Sequence, residues 1–213
     1  MPTVDLSVTD TQMVSDAATT NYESAISFGV GESNVAARII RSIVKPDFSP
    51  VSGYIITAAT LKLTPMIDFS DNARTLYAHR VLRSVTMTQA TWNVYSTGNN
   101  WGTAGCGNST TDYDGAVVLG STTQPASPTI DSPGFVSMTL DATELQKMND
   151  GTYTNNGIVL FVATESSDEI VYHSKESTTS AYRPIITVTY KTPTNHFFAL
   201  VGNRRNERKL VYG

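Results

Sequence analysis

The chain has 213 residues, 40% hydrophobic and 16% charged, with a net charge of −4. That length suits one large domain with a single core. No apolar run is long enough to cross a bilayer as a helix, and the start, MPTVDLSVTD, has neither a basic segment nor an apolar stretch, so no membrane span and no export signal of its own are expected. Five basic residues against one acidic give residues 191–213 a local charge of +4, which leaves −8 for residues 1–190, a body unsuited to nucleic acid.

In chain order, Val4, Leu6 and Val8 alternate with polar residues at the period of a half-buried strand. Strands are predicted next at 26–30 (ISFGV), 35–44 (VAARIIRSIV) and 54–65 (YIITAATLKLTP), separated by turn-forming clusters. In the segment 54–65, Ile56, Ala58, Thr60 and Lys62 should face one way and Thr57, Ala59, Leu61 and Leu63 the other, with Leu61 and Leu63 filling the core. RTLYAHRVL at 74–82 puts Leu76, Ala78, Arg80 and Leu82 on one face and Tyr77, His79 and Val81 on the other, so both faces carry bulk. The interval 96–114 is too polar and Gly-rich for regular structure and reads as a long loop pinned by Trp101.

AVVLG at 116–120 reads as a short strand, followed by a Pro-rich extended stretch. GFVSMTL at 134–140 resumes the alternation. Asp141, with Glu144 three residues on and Leu145 and Met148 as an apolar stripe, predicts a short helix near 141–150 stopped by Gly151. GIVLFVA at 157–163, EIVYHS at 169–174 and RPIITVTY at 183–190 complete about ten strands. The fold class this implies is all-β, an antiparallel two-sheet sandwich of jelly-roll type spanning 1–190, with a separate C-terminal arm at 191–213.

Residues with chemistry are sparse. Cys106 stands alone within GCG, which excludes an intramolecular disulfide and favours a turn role over a nucleophile. His79 and His173 lie in predicted strands, His196 in the tail, and no local motif supplies them with a nucleophile. Asp112 with Asp114, and Asp168 with Glu169, are neighbours in sequence rather than a carboxylate pair across a cleft, so catalytic residues are not assigned and no enzyme is expected. Asp112 and Asp114 are the weak candidates for a structural calcium, the only cofactor considered, although the full 12-residue loop with a distal Glu is missing. Trp92, Tyr95, Trp101 and Tyr113 are candidate glycan contacts, with burial of one or both tryptophans in the core favoured over an aromatic platform.

The succession TNYES with ISFGVGE, AARIIRSIV, ITAATLKL, QATWN, Trp101, LDATELQKMNDG with NNGIVL, and YHSKES with RPIITVTY resembles a DNRLRE-type domain over residues 10–190. The resemblance implies a jelly-roll β-sandwich similar to carbohydrate-binding modules and to the disaggregatase-related repeat. The chain departs from that pattern at Glu23 and at Arg41-Ser42, so no metal or sugar residue is carried over near the N-terminal loops.

Beyond the predicted last strand, HFFALVG at 196–202 is apolar at five of seven positions and is followed by RRNERK. A closed sandwich has no room for Phe197, Phe198 and Leu200, so this arm, with Arg204, Arg205, Arg208 and Lys209, is expected to dock on another copy or another protein. Together with the resemblance, these features imply a non-enzymatic structural protein of a virion, a bacteriophage capsid or tail decoration anchored by its arm. The alternative is a carbohydrate-binding module, extracellular or at a cell surface, that recognises a polysaccharide or host glycan.

Overall fold

Alternation of apolar and polar side chains dictates sheets with one face in a core, and the computed structural model, which describes residues 1–33, 38–69, 72–165 and 169–193, is all-β with one α-helix. Its strands are β1 (Thr3–Val14), β2 (Ser27–Ser33), β3 (Arg38–Pro46), β4 (Ile55–Leu63), β5 (Pro65–Asp68), β6 (Arg74–Arg80), β7 (Val94–Ser96), β8 (Asn99–Asn100), β9 (Gly120–Gln124), β10 (Val136–Leu140), β11 (Ile158–Val162), β12 (Ile170–His173) and β13 (Ile185–Lys191), with the helix α1 (Ala142–Asn149) between β10 and β11.

Eight strands pair antiparallel into a closed ring, β1-β13-β4-β10-β9-β6-β11-β3 and back to β1. β1 serves two neighbours in succession: residues 3–7 pair with β13, residues 8–14 with β3. At the other side the ring is closed by one residue pair, Leu140 with Gly120. Gly120 is required there, because a Cβ would lie 2.7 Å from the carbonyl oxygen of Thr139. Where the alternation alone predicts two separate sheets, the ladders form a barrel, because β1 is long enough to leave one layer and join the next. β2 then leads away from β3 to β12 and β5, a flap that ends at β5.

The main core fills the ring around Leu6, Val44, Leu61, Leu160 and Ile186, each fully buried. Each such side chain stabilises by roughly 1.5–3 kcal/mol. The alternation in β10 holds throughout, with Val136, Met138 and Leu140 inside. In β4 it breaks. Ala59, Leu61 and Leu63 are buried as expected, but so is Ile56, because the pairing with β13 slips between Thr189 and Tyr190 and resets which face points inward. AVVLG does not form a strand; Leu119 enters the core from irregular backbone and the strand β9 begins only at Gly120. The strand β5 and the small β7–β8 hairpin were not predicted, the first because Pro65 cannot donate to a ladder and its strand is only four residues long.

α1 forms where the capping signal placed it. Oδ1 of Asp141 accepts from the backbone N–H groups of Thr143 and Glu144 at 2.8 and 3.1 Å, and Leu145 and Met148 are buried against the ring. Oε1 of Gln146 also accepts from the Ile56 N–H at 2.8 Å, tying the helix to β4.

Candidate functional site

A strand buried on both faces needs a second apolar layer, and the uninterrupted run in β11 demands one. Val159 points away from the ring's interior and joins Met13, Ile43, Val81, Val85, Ala90, Trp101 and Cys106 in a separate core. The long segment from Arg83 to Val118 forms the lid of that core, covering the outer face of β1, β3, β11 and β6.

Two anchors hold the lid. Trp101 is 5% exposed and its Nε1 donates to the carbonyl of Thr91 at 2.9 Å. Asp112 has no exposed surface at all; Oδ1 accepts from the N–H of Gly102 at 2.7 Å and Oδ2 from those of Thr103 and Asn108 at 2.9 and 3.0 Å, while Nε of Arg83 approaches Oδ1 at 3.3 Å. Burial alone would raise the Asp112 carboxyl, but these N–H donors outweigh it and hold it below the usual carboxylate range. The thiol of Cys106, on the buried side of the same lid, is pushed up by desolvation, which favours its neutral form.

At the margin of the lid the sheet's outer face stays open. Tyr77 and His79 on β6, Phe161 on β11, and Tyr113, Ser109 and Val118 from the lid line a shallow cleft of about 430 Å³. His79 stacks on Phe161 at 5.3 Å between centroids with planes 7° apart, and Tyr113 meets Phe161 at 5.4 Å and His79 edge-on at 5.1 Å. Nδ1 of His79 lies 2.8 Å from the carbonyl oxygen of Asp114 and 3.0 Å from that of Val117, so this nitrogen carries the proton. Beside the cleft, Arg41 is held by both oxygens of Glu165 at 2.7 and 2.8 Å and lies 5.7 Å over Trp92 and 5.8 Å over Phe161.

Of the four aromatic residues singled out from the sequence, Tyr113 alone reaches this cleft. Trp101 is buried, Tyr95 packs on it at 5.5 Å, and Trp92 lies against Gly105 and Arg41. Tyr77, His79, Phe161 and Val118, which also line the cleft, are not among the residues singled out from the sequence, although the shared face of Tyr77 and His79 follows from the alternation in β6. The two calcium candidates do not meet as ligands: Asp112 is engaged by N–H donors, and Asp114 binds the Arg80 guanidinium at 2.8 Å. Among the described residues no group of three or more His, Cys, Asp or Glu is placed to hold a metal ion. Asp168, His196 and the arm residues Phe197, Phe198, Leu200, Arg204, Arg205, Arg208 and Lys209 lie outside the described residues. No protein-family model matches the chain, and no curated protein matches it.

Proposed function

We propose that this chain is a carbohydrate-recognition module whose ligand lies in the aromatic cleft. The observation that carries the reading is the cluster of Tyr77, Tyr113 and Phe161 with the imidazole of His79 and the hydroxyl of Ser109, on rigid strands and a doubly anchored lid. Sugar rings combine an apolar face with a polar rim, and a site for them combines flat aromatic surface with a few fixed hydrogen-bonding groups. Support also comes from the resemblance to a DNRLRE-type domain, and we read the ring as a jelly-roll sandwich whose two layers share β1.

The test is retention on insoluble and soluble polysaccharides together with a glycan array, comparing the wild-type chain with Val118→Glu and Tyr113→Ala. Val118 is 46% exposed, so a carboxylate there fills the cleft without touching a core. Both variants should weaken binding by about tenfold or more, the equivalent of roughly 1.4 kcal/mol. Binding that neither variant changes, or silence across neutral and acidic glycans, refutes the assignment.

A second reading concerns where the module is carried. The apolar run at 196–202 followed by basic residues supports an arm that docks on a virion or on another copy of the chain, making the protein a decoration or attachment component of a particle. Deletion of residues 192–213 should abolish attachment to particles while leaving the glycan cleft intact, and unchanged assembly of the truncated chain would overturn this reading.

A further inference from the structure

Outside the aromatic cleft, Asp131 from the segment between β9 and β10 meets His173 and Ser177, which stand four residues apart at the end of β12. His173 is the last residue of β12; its Nε2 lies 2.7 Å from Oδ1 of Asp131 and its Nδ1 3.3 Å from Oγ of Ser177. A carboxylate only accepts, so Nε2 carries the imidazole proton and the Nδ1 lone pair of the neutral ring faces the hydroxyl, whose proton has the Thr179 carbonyl oxygen as a second acceptor at 3.3 Å. The roles are those of a hydroxyl nucleophile, a base and an acid that orients the base, with the two ring nitrogens exchanged relative to the familiar serine hydrolases.

Each member is held. Asp131 adopts φ 54°, a left-handed conformation uncommon for a residue with a side chain, and its N–H donates to the carbonyl of Pro65 at 2.9 Å. The ring of His173 packs on Tyr182 at 4.8 Å, and its backbone N–H donates to the carbonyl of Thr64 at 3.0 Å. Ser177 donates its N–H to the carbonyl of Ser174 at 3.1 Å and accepts at its own carbonyl from Nε of Arg183 at 3.0 Å. His173 and Ser177 line a small cleft of about 120 Å³ whose apolar wall is Ile26 and Met66 and whose polar wall is Thr178 and Thr179. Ile26 is 57% exposed at its rim, an apolar side chain in water beside a hydroxyl and a base.

The geometry points to a hydrolytic site for esters of short acyl groups, acetyl being the size that such a cleft admits. Oγ of Ser177 bonds to the acyl carbon while its proton passes to Nδ1 of His173, and the resulting imidazolium is stabilised by Asp131. Cleavage of the ester C–O bond returns that proton to the departing alcohol. Water then attacks the acyl-serine, gives a proton to Nδ1, and Ser177 leaves with it, so one ester and one water become one acid and one alcohol with no change in oxidation state. This assignment does not depend on the aromatic cleft.

The experiment uses the purified full chain with a fluorophosphonate probe read by peptide mass, and with p-nitrophenyl acetate and octanoate as substrates. One phosphonyl group is expected on Ser177, with acetate turned over in preference to octanoate. Ser177→Ala should abolish labelling at that position and the turnover above buffer, while His173→Gln should slow acetate hydrolysis by about 10²-fold or more. Melting curves control for folding, and should Ser177→Ala fail to fold, the labelled peptide of the wild-type chain decides alone. Absence of label on Ser177 between about pH 6 and 9, or a rate that Ser177→Ala leaves unchanged, overturns the proposal and leaves the three residues as braces of the turn at 174–179.

Discussion

Replacing Asp112 by alanine tests whether one carboxylate organises the lid. The side chain is fully buried and accepts three backbone N–H groups besides the Arg83 guanidinium, so truncation strands those donors inside the lid unless the lid opens. A buried donor left without its partner costs about 1–3 kcal/mol, whereas the Arg83 guanidinium, 34% exposed, regains water and adds little. Since the lid can open to water rather than bear the whole sum, the loss is expected to fall at about 3–5 kcal/mol in urea unfolding, or roughly 6–20 °C in melting temperature for a chain of this size. Hydrogen exchange should rise at Gly102, Thr103 and Asn108, and Trp101 fluorescence should shift toward that of a solvated indole. The wild-type carboxyl lies below the usual range, so its contribution is complete above the ordinary carboxylate pKa and fades only as acid carries the pH through the depressed folded value. A variant within about 1 kcal/mol of wild type, with unchanged exchange at those three amides, would refute the reasoning.

Asp10 on β1 behaves in the opposite sense. It is 1% exposed, burial pushes its carboxyl up to about 7, and the Lys175 N–H donating to it at 2.7 Å, with the Lys175 charge, only partly offsets that. Glu23 and Glu176, which share the Lys175 ammonium, add to the upward push. A folded pKa above the unfolded one makes stability greatest below about pH 4 and lowers it as pH rises to about 7; Asp10→Asn should flatten that slope in a series of urea midpoints, and an unchanged slope would count against the assignment. Gly105 has φ 73°, and a Cβ there would sit 2.4 Å from Cζ3 of Trp92. Gly105→Ala should therefore cost about 1–3 kcal/mol by chemical denaturation, whereas a neutral substitution would mean that Trp92 moves freely.

What the sequence makes legible follows from local periodicity. Val136, Met138 and Leu140 declare their face, Asp141 and Glu144 declare the start of α1, and the unbroken run in β11 foretells a strand covered on both sides. What it conceals depends on pairing partners. The slip at Thr189 and Tyr190 turns Ile56 inward against its own alternation, and the length of β1, not its pattern, turns two sheets into a ring. The sites are harder still to read. Trp101 pins its loop from the core as its place in the sequence suggests, but Tyr77, Tyr113 and Phe161 converge from three segments. Asp131, His173 and Ser177 meet because a strained turn next to β10 packs against the end of β12, a neighbourhood that no short motif announces.

The pairing of β1 with β13 sets Val4 opposite Val188, so strands from the two ends of the described body lie hand in hand. A ribosome must therefore deliver almost all of that body before the ring can shut, and the nascent chain waits with β1 half-satisfied. Such long-range pairing places folding in the slow, millisecond-to-second class of β proteins. Once shut, the same seam brings the two ends of the body close together, which suits grafting it into a surface loop of another protein.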